Sequence, residues 1–351
     1  MPAETYTNTG LHIRRAGPQD IETWDLYVNK HPGGTVFHLN AWKAVIESSF
    51  HHKSLYFIAE KHGSVCGIFP VFEIKSWLFG HYLVSIPFAE VGGCLADGPE
   101  IERALIEEAS RVTDKKNALY LEIRNRNRVP DLDTKTLYYN FSKEISVDHD
   151  ENLRAIPRKS RAMVRNAIKK GLVAEFGHHL LSKFYDILAL NYHRLGTPVF
   201  SKKMFTNFLK YYPESSDILL VNTKDGKKAA AVLFFIHKNR ILPYYAGSDF
   251  SLRHLGPNDF MYWELMKYGA DSGISVFDYG RSKEGTGSFR FKKHWGFRPE
   301  PLSYQYYLSS ADEVPNLSPA NPKYERKIRM WQRMPHFFTR FAGPFISRNI
   351  A

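Results

Sequence analysis

The stretch VFHLNAWKAVIESSFHHKSLYFIAEKHGSVCGIFPVF, residues 36–72, has a counterpart later in the chain. Residues 199–235, VFSKKMFTNFLKYYPESSDILLVNTKDGKKAAAVLFF, align with it without a gap at an offset of 163 positions. Both stretches have the pattern of an amphipathic helix, a strand, a turn and a second strand. The turns KHG and KDG end in Gly63 and Gly226, and a glycine-ended turn between two β-rich runs is typical of a hairpin. The aligned pairs are Val36 with Val199, Phe37 with Phe200, Trp42 with Phe205, Val45 with Phe208, Gly63 with Gly226 and Phe72 with Phe235.

The similarity between the halves continues beyond the hairpins. GPEIERALIEEASRV followed by ALYLEIRN resembles GPNDFMYWELMKYGADSG followed by ISVFDYGR, and each pair predicts a Gly-Pro turn, a helix and a strand. A repeat of this length indicates a domain. We therefore predict one domain over residues 11–150, a second over 151–311, and a tail over 312–351 that begins with a Pro/Ser/Asn-rich linker and then becomes basic and aromatic.

The bulk composition limits the class of protein. The chain has 351 residues, which is enough for two domains of ordinary size, and a net charge of +12, which favours an anionic partner such as nucleic acid, nucleotide, acyl-CoA or a membrane surface. Its two cysteines, Cys66 and Cys94, have no metal-ligand spacing and predict no disulfide framework. The N-terminal residues lack the pattern of a secretory signal, and no apolar run approaches the roughly 20 residues of a membrane span. We expect a cytoplasmic protein without a metal.

The segment FDYGRSKEGTGSFRFKKHWGF, residues 277–297, passes from a buried strand into glycine, serine and cations. Its spacing approaches that of a nucleotide-binding P-loop, but Thr286 occupies the position where a lysine is required. Gly285 and Gly287 would let a ligand approach the backbone, and Arg281 could bind a carboxylate or phosphate with two nitrogens. Since aromatic residues alternate with the cations, we expect a lid with its charges turned inward, with a solvated surface loop as the alternative.

Two further segments have the pattern of anion-binding elements. In PRKSRAMVRNAIKKGL, a helix would place Arg158, Arg161 and Arg165 on one face, as suits a phosphate-rich ligand or RNA, although a solvated basic helix has the same pattern. In LRHLGPNDFMYWEL, the turn at Gly256 precedes a helix with Asn258 or Asp259 as its N-cap. A helix N-terminus attracts pyrophosphate or carboxylate, but the pattern by itself favours a simple capped helix.

Two aromatic groups leave alternatives open. Tyr192, His193, Tyr244 and Tyr245 near predicted element ends could line a sugar or nucleotide cleft, or belong to the core. The tail could rest on an anionic membrane or dock on the second domain, and prolines 335 and 344, which break a long helix, favour docking. The tail's aromatic residues are Trp331, Phe337, Phe338, Phe341 and Phe345.

Taken together, the two halves, the basic helix, YYAGS and FDYGR…FKKHWGF resemble the FemABX-type transferases. The nearest resemblance is to FemAB-like proteins associated with bacterial exosortase/PEP-CTERM and exopolysaccharide systems. The resemblance implies an α/β (α+β) chain of two tandem GNAT-like domains, each with a mixed, mostly antiparallel sheet flanked by helices. Residues 253–258 are similar to the R-x-x-G-x-G/A phosphate loop of GNAT acyltransferases, with Asn258 in place of the final small residue.

The same resemblance implies roles for particular residues. Phe291 and Lys292 match a Phe-Lys pair at the place where charge develops during acyl transfer, and Lys293 is the adjacent rival. Asp278 could act as a base or orient the amine, or be a structural residue at the end of a strand. The candidate ligands of the acceptor's phosphates are Arg281, Lys283, Tyr245 with its neighbour Tyr244, and Lys203.

The implied reaction is transfer of an acyl or aminoacyl group from aminoacyl-tRNA or acyl-CoA to an amine of a cell-envelope, peptidoglycan or exopolysaccharide precursor, with no tightly bound cofactor. The acceptor would be an anionic, phosphate-bearing small molecule or glycan precursor, and the tail could hold the protein against the inner membrane. The alternatives are a non-catalytic adaptor at the membrane surface and an RNA-binding protein without chemistry. We expect the first domain to be structural, because it has no counterpart of the FKK segment.

Overall fold

The computed structural model describes residues 5–6, 10–315 and 322–349. These residues form two compact units. Unit 1 takes the described residues within Met1–Thr136, Leu302–Asn316 and Arg348–Ala351, and unit 2 takes those within Leu137–Pro301 and Leu317–Ser347.

The strands of the described residues, in chain order, are β1 Thr5–Tyr6, β2 Leu11–Arg15, β3 Lys53–Ser54, β4 Phe57–Lys61, β5 Ser64–Phe69, β6 Phe72–Ser76, β7 Gly80–Val84, β8 Leu95–Ala96, β9 Tyr120–Asn125, β10 Asp133–Lys135, β11 Tyr138–Asn140, β12 Ser142–Glu144, β13 Val173–Phe176, β14 Ser216–Asn222, β15 Lys228–His237, β16 Arg240–Ser248, β17 Val276–Asp278, β18 Ser282–Lys283, β19 Glu300–Pro301 and β20 Ser303–Leu308. The α-helices are α1 Ile21–Lys30, α2 Asn40–Phe50, α3 Pro99–Lys115, α4 His149–Ala155, α5 Arg158–Lys169, α6 Leu181–Leu195, α7 Lys202–Tyr211, α8 Pro257–Asp271, α9 Gly287–His294, α10 Pro322–Arg333 and α11 His336–Ser347. Short 3₁₀ helices precede α1, α2, α6 and α8.

The unit limits differ from the predicted limits at residues 150 and 311. Strands β11 and β12 pair with β18, β19 and β17 of unit 2, so that unit begins earlier in the chain than predicted. Strand β20 pairs with β9 and β10 and therefore belongs to unit 1. The difference arises because these pairings join strands far apart in the sequence, which a local pattern does not reveal.

The repeat is visible in the elements of the two units. Helix α2 and the β4–β5 hairpin of unit 1 correspond to α7 and the β14–β15 hairpin of unit 2. In the first hairpin both turn residues, His62 and Gly63, have positive φ, as the tightest hairpin turns require. Strand β15 is continuous, whereas the matching segment of unit 1 is interrupted at Pro70, between β5 and β6. Pro70, which lacks a backbone N–H, lies where the described strands of unit 1 divide into two separate sheets.

The sheet of unit 2 is mixed and mostly antiparallel, in the order β12-β17-β16-β15-β14-β13. Its only parallel pair among the described residues joins β16 and β17. Helices α5 and α8 share a core with one face of this sheet, and α6 contacts β14, β15 and β16. This arrangement confirms the predicted fold class.

The tail packs on unit 2, as the docking alternative predicts. Helices α10 and α11 both contact α6. The Gln332 side chain donates to the carbonyl of Arg194 at 2.8 Å, and Arg340 forms an ion pair with Asp186 at 2.7 Å. Pro335 separates the two helices, but Pro344 lies inside α11 and does not end it, contrary to the predicted break.

Candidate active site

The parallel pairing of β16 with β17 covers only the start of β16. Arg240 pairs with Val276 and Ile241 with Phe277, and the pairing ends there although β16 continues to Ser248. On its other side β16 stays paired with β15 along its whole length. Beyond Ile241 this edge of β16 therefore has no paired strand among the described residues, and the carboxyl ends of parallel strands are where ligands commonly bind in an α/β sheet.

A β-bulge changes the course of β16 beside this unpaired edge. Leu233 of β15 pairs with Tyr245 while the next residue, Phe234, pairs with Pro243, so Tyr244 is the extra residue. A bulge re-aims the local backbone and is common next to active sites. Beyond the bulge, Gly247 lies under α6, because an added Cβ would be 3.1 Å from the Asn191 Cβ and from the Ile187 carbonyl oxygen. Glycine is needed at this position for the close approach of helix and strand.

The predicted substrate tyrosines lie along β16. Tyr245 is buried, and its ring packs against Phe205 and Phe208 of α7 at centroid distances of 5.2 and 5.9 Å. The Tyr244 ring meets it edge-on at 4.8 Å and is half-buried. Of the two alternatives for Tyr245, the structure favours the core.

The other predicted cleft and acceptor residues lie elsewhere in unit 2. Tyr192 and His193 lie near the end of α6, where His193 contacts the tail through Thr339. Lys203 is exposed in the first turn of α7.

The chain leaving β16 forms the N-terminus of α8. The residue before the helix, Gly256, has φ +73° and acts as the N-cap, followed by Pro257 at the first helical position. The predicted caps lie inside the first turn instead, with Asn258 exposed and Asp259 partly buried. Proline removes one of the backbone N–H groups that a helix N-terminus could offer an anion.

The basic helix α5 lies directly beside this terminus. An added Cβ on Gly256 would be 3.4 Å from the Ala167 Cβ, and the Lys170 ammonium donates to the carbonyl of His254. The buried side of α5, which includes Val164 and Ala167, belongs to the same core as α8. The phosphate-loop segment and the basic helix, which lie about 90 residues apart in the sequence, are thus neighbours.

The outer side of α5 presents the arginines that the sequence places on one face. Arg158 and Arg165 are exposed, and Arg161 is half-buried and donates to the carbonyl of Arg154 at 3.1 Å. They border a surface concavity of about 400 Å³ whose described lining is Arg158, Arg161, Ala162, Arg165, Asn166 and Lys169. The lining contains four cations and no acid, a composition that suits contacts with phosphate groups.

The segment that follows β17 is built around Lys292. Its side chain is 6% exposed, and its ammonium donates to the carbonyl oxygens of Tyr279, Gly280 and Arg281 at 2.7, 2.8 and 3.0 Å. An ammonium has three N–H donors, and this geometry uses all of them. Lys292 therefore holds the start of the glycine-rich loop, residues 279–281, in place.

The FKK segment forms helix α9, whose N-cap Thr286 accepts from the Phe289 N–H at 3.3 Å. Phe291 is partly buried in the core of unit 2. Of the cations on α9, Lys292 points inward as predicted for a lid, whereas Arg290 and Lys293 are exposed. The inward orientation predicted for all of these charges is thus wrong for Arg290 and Lys293, which lie on the solvent side of a packed helix.

Asp278 lies at the end of β17 and is held by the protein itself. One carboxylate oxygen accepts from the Asn140 amide at 3.1 Å and from the Gly280 N–H at 3.0 Å. The other oxygen is 3.4 Å from a guanidinium nitrogen of Arg240. These contacts fit the structural alternative for Asp278.

The remaining predicted acceptor ligands flank the loop. The Arg281 guanidinium carbon lies 4.6 Å from the centre of the Tyr138 ring, and Lys283 pairs with Tyr138 through β18 and β11. Both side chains are half-buried. The structure thus gathers Asp278, Arg281, Lys283 and Lys292 around one loop.

A polar cluster that the sequence analysis did not identify lies between α8 and α9. The Asp259 carboxylate accepts from the Trp295 indole N–H at 3.0 Å, and burial raises the pKa of Asp259. The hydroxyl of Tyr279 is buried without a hydrogen-bond partner among the described residues. Burial raises its pKa well above the usual value. The sequence signal for this cluster is weak, since an acid in a first helical turn usually serves the helix itself.

The matching place in unit 1 is filled by the protein's own chain. There β7 and β9 are parallel and pair at Leu83 with Leu121 and at Val84 with Glu122. The buried Arg124 side chain donates to Glu122 at 2.8 Å and to the carbonyls of Ile86 and Ala89 at 3.0 and 2.9 Å. An ion pair and a loop thus occupy the region beyond the parallel pair of unit 1.

Comparisons with known proteins agree with this architecture. Residues 158–293, within unit 2, match the family described as the acetyltransferase (GNAT) domain. The crystal structure of FemX is similar with a TM-score of 0.65 at 16% identity, covering 84% of this chain and 98% of that one. A tandem GNAT protein from the clavulanic acid biosynthesis pathway has a TM-score of 0.56 at 9% identity, covering 86% and 100%. L-PGS from Bacillus licheniformis has a TM-score of 0.56 at 12% identity, covering 92% and 99%.

No curated protein sequence matches the chain. At these identities the structural similarities establish the fold, which is a tandem arrangement of the GNAT acyltransferase fold. Neither the association with exosortase/PEP-CTERM systems nor the aminoacyl donor follows from them.

Proposed function

We propose that unit 2 transfers an acyl or aminoacyl group from an activated donor to an amine of a cell-envelope or exopolysaccharide precursor. The observation that carries this proposal is the edge of β16 that stays unpaired beyond Ile241, followed along the chain by the N-terminus of α8, which lies beside the basic helix α5. An extended thioester or ester arm could lie along this unpaired edge while its phosphates contact α5.

The donor is proposed to be aminoacyl-tRNA, with acyl-CoA as the alternative. Pro257 removes a backbone N–H donor from the N-terminus of α8, and Asp259 places a carboxyl group in its first turn. Both changes make this terminus a weaker site for a pyrophosphate. The cations on the outer side of α5 instead form an extended surface, which suits a polymer with many phosphates. The GNAT family match supports acyl-CoA, so both donors need testing.

In the proposed reaction the amine nitrogen attacks the carbonyl carbon of the donor. A C–N bond forms, the C–O bond of an aminoacyl ester or the C–S bond of a thioester breaks, and the proton lost by the amine ends on the leaving oxygen or sulfur. We assign Lys292 the task of holding the loop at residues 279–281 and of adding positive charge where the carbonyl oxygen becomes negative. Arg281 and Lys283 on the same loop are the proposed ligands of an anionic acceptor.

Unit 1 is proposed to be structural. Beyond its parallel pair, the buried Arg124 bonds to Glu122 and to the carbonyls of Ile86 and Ala89, so the described residues of unit 1 fill this region themselves. Resemblance alone supports an exopolysaccharide or peptidoglycan precursor as the acceptor.

A donor screen tests the proposal. Purified protein would be incubated with radiolabelled aminoacyl-tRNA mixtures and, separately, with labelled acetyl-CoA and longer acyl-CoAs, with cell extract as the source of acceptors. The variant would combine Arg158→Ser, Arg161→Ser and Arg165→Ser on α5, and the matched control would combine Lys53→Ser, Lys61→Ser and Lys115→Ser, which are exposed cations of unit 1.

Label transferred from tRNA, reduced in the α5 variant and unchanged in the control, would support the aminoacyl donor. Transfer from acyl-CoA alone would leave an acyltransferase and reject the tRNA donor. If no donor gave a labelled product with a folded protein, the proposal of acyl transfer would be wrong.

A further inference from the structure

Helix α11 has two faces of opposite character. Thr339, Gly343 and Ser347 recur every four residues and are buried. An added Cβ on Gly343 would be 2.9 Å from the Val199 backbone, so this face approaches unit 2 very closely. The small residues of this face therefore let the helix dock tightly.

The opposite face of α11 is aromatic and exposed. Phe337, Phe341 and Phe345 recur every four residues and are 75%, 72% and 56% exposed, and Phe338 beside them is 45% exposed. Single exposed apolar residues are common on soluble proteins, but a row of four phenylalanines on one helix face is not. The close approach to unit 2 at Val199 is made by the small face of the helix.

The preceding helix, α10, carries exposed positive charge a few residues before this row in the chain. Arg326, Lys327, Arg329 and Arg333 are exposed, as is the apolar Met330. The only acid between residues 322 and 349 is Glu325, which pairs with Arg329 at 3.0 Å. The two helices thus combine an exposed apolar row with cations, the composition of segments that lie in the interface of an anionic bilayer.

We propose that α11 rests on an anionic membrane surface with its phenylalanine row in the headgroup region, while α10 contacts the lipid phosphates. Helix α11 has 12 residues, which is too short to cross a bilayer. Among the described residues no helix is long and apolar enough to do so. Docking on unit 2 and contact with a membrane, which the sequence presented as alternatives, can therefore occur together, because opposite faces of α11 serve them.

This inference does not depend on acyl transfer. The alternative occupant of the row is a second copy of the chain, which would cover the phenylalanines but would leave the cations of α10 without an anionic partner. Charge complementarity therefore favours the bilayer over self-association.

Vesicle sedimentation of the full chain tests the proposal. The vesicles would be pure phosphatidylcholine or a 3:1 mixture of phosphatidylcholine and phosphatidylglycerol, at low and at physiological salt. The variant would be Phe337→Ser with Phe341→Ser, and the matched control Ile21→Ser with Leu26→Ser, which removes exposed apolar side chains from α1. Thermal unfolding would confirm that both are folded, and sedimentation velocity without lipid would give the oligomeric state.

We expect binding to the phosphatidylglycerol vesicles, weaker binding to phosphatidylcholine, and a fall of about tenfold or more in the partition coefficient of the phenylalanine variant, since two aromatic rings lose their apolar environment. The α1 control should bind like the unmodified protein. An unmodified protein that does not bind anionic vesicles would overturn the proposal. Binding that persists in the phenylalanine variant, or a dimer that this variant dissociates, would overturn it as well.

Discussion

Replacing Lys292 by methionine tests the interpretation of the loop in unit 2. Methionine keeps most of the apolar stem and removes the ammonium, so the carbonyls of Tyr279, Gly280 and Arg281 lose their donor. The bonds to the first two carbonyls are buried, whereas the third is partly accessible to water. A buried acceptor left without a partner costs about 1–3 kcal/mol, so two of them cost about 2–6 kcal/mol.

Part of this cost is offset in the variant. The native protein desolvates an ammonium, and removing that charge recovers part of the loss. We therefore expect the free energy of unfolding of unit 2 to fall by about 2–4 kcal/mol. For a domain of this size the corresponding decrease in Tm is roughly 4–16 °C.

The matched control is Lys293→Met, because Lys293 is the next residue on α9 and its side chain is exposed. It should change the free energy of unfolding by no more than about 0.5 kcal/mol. The assay is urea unfolding followed by tryptophan fluorescence, together with calorimetry to separate the transitions of the two units. A Lys292→Met protein as stable as Lys293→Met would refute the hydrogen-bond argument. If the Lys292→Met protein were that stable but had lost transfer activity, Lys292 would act in the reaction itself and not in stabilising the fold.

Three further outcomes follow from the structure. Gly247→Ala should lower the free energy of unfolding by about 1–3 kcal/mol, because the added methyl group would crowd α6. Calorimetry of Gly63→Ala gives the cost of backbone strain alone, because Gly63 has φ +76° and no atom within 4 Å of an added Cβ. Arg165→Glu should weaken binding of uncharged tRNA and reduce the slope of log affinity against log salt by about 0.7, measured by fluorescence anisotropy, and an unchanged slope would exclude α5 from the contact. Burial alone would raise the pKa of Glu73, but Lys116 and His81 lower it below the usual value. The ionised Glu73 side chain therefore stabilises the fold at neutral pH, and this stabilisation is lost as the pH falls through the lowered pKa. In the Glu73→Gln variant the free energy of unfolding should depend less on pH, as measured by unfolding curves between pH 3 and pH 7.

Predictions from local pattern succeeded where a short segment carries its own information. The basic face of α5 depends only on helical spacing, and the structure confirms that Arg158, Arg161 and Arg165 share one side of the helix. The repeat between the halves depends on hairpins whose turn residues specify the backbone, as at Gly63 and Gly226. Such features form wherever the segment lies in the fold.

Predictions of side-chain environment were less successful because contacts distant in sequence decide them. The resemblance favoured Lys292 over its neighbour Lys293, but the sequence did not show which of the two is buried. The two side chains leave α9 about 100° apart, and the packing of this helix turns Lys292 toward the loop carbonyls. Similarly, Tyr245 lies in the core because α7 packs over it.

Periodicity and turn chemistry are local properties, so the amino-acid sequence was enough to reveal the repeat of two halves and the positions of the cations along α5, whereas the mixed sheets were expected from the family resemblance. Only the tertiary structure decided what lies beyond each parallel pair. In unit 2 the pairing of β16 with β17 ends at Ile241 and Phe277, and the rest of that edge of β16 has no paired strand among the described residues. In unit 1 the buried Arg124 bonds to Glu122 and to the loop after β7, and fills the equivalent place. The difference has a physical origin, since a buried guanidinium must satisfy its donors, and the carbonyls that do so come from residues about 35 positions earlier in the chain.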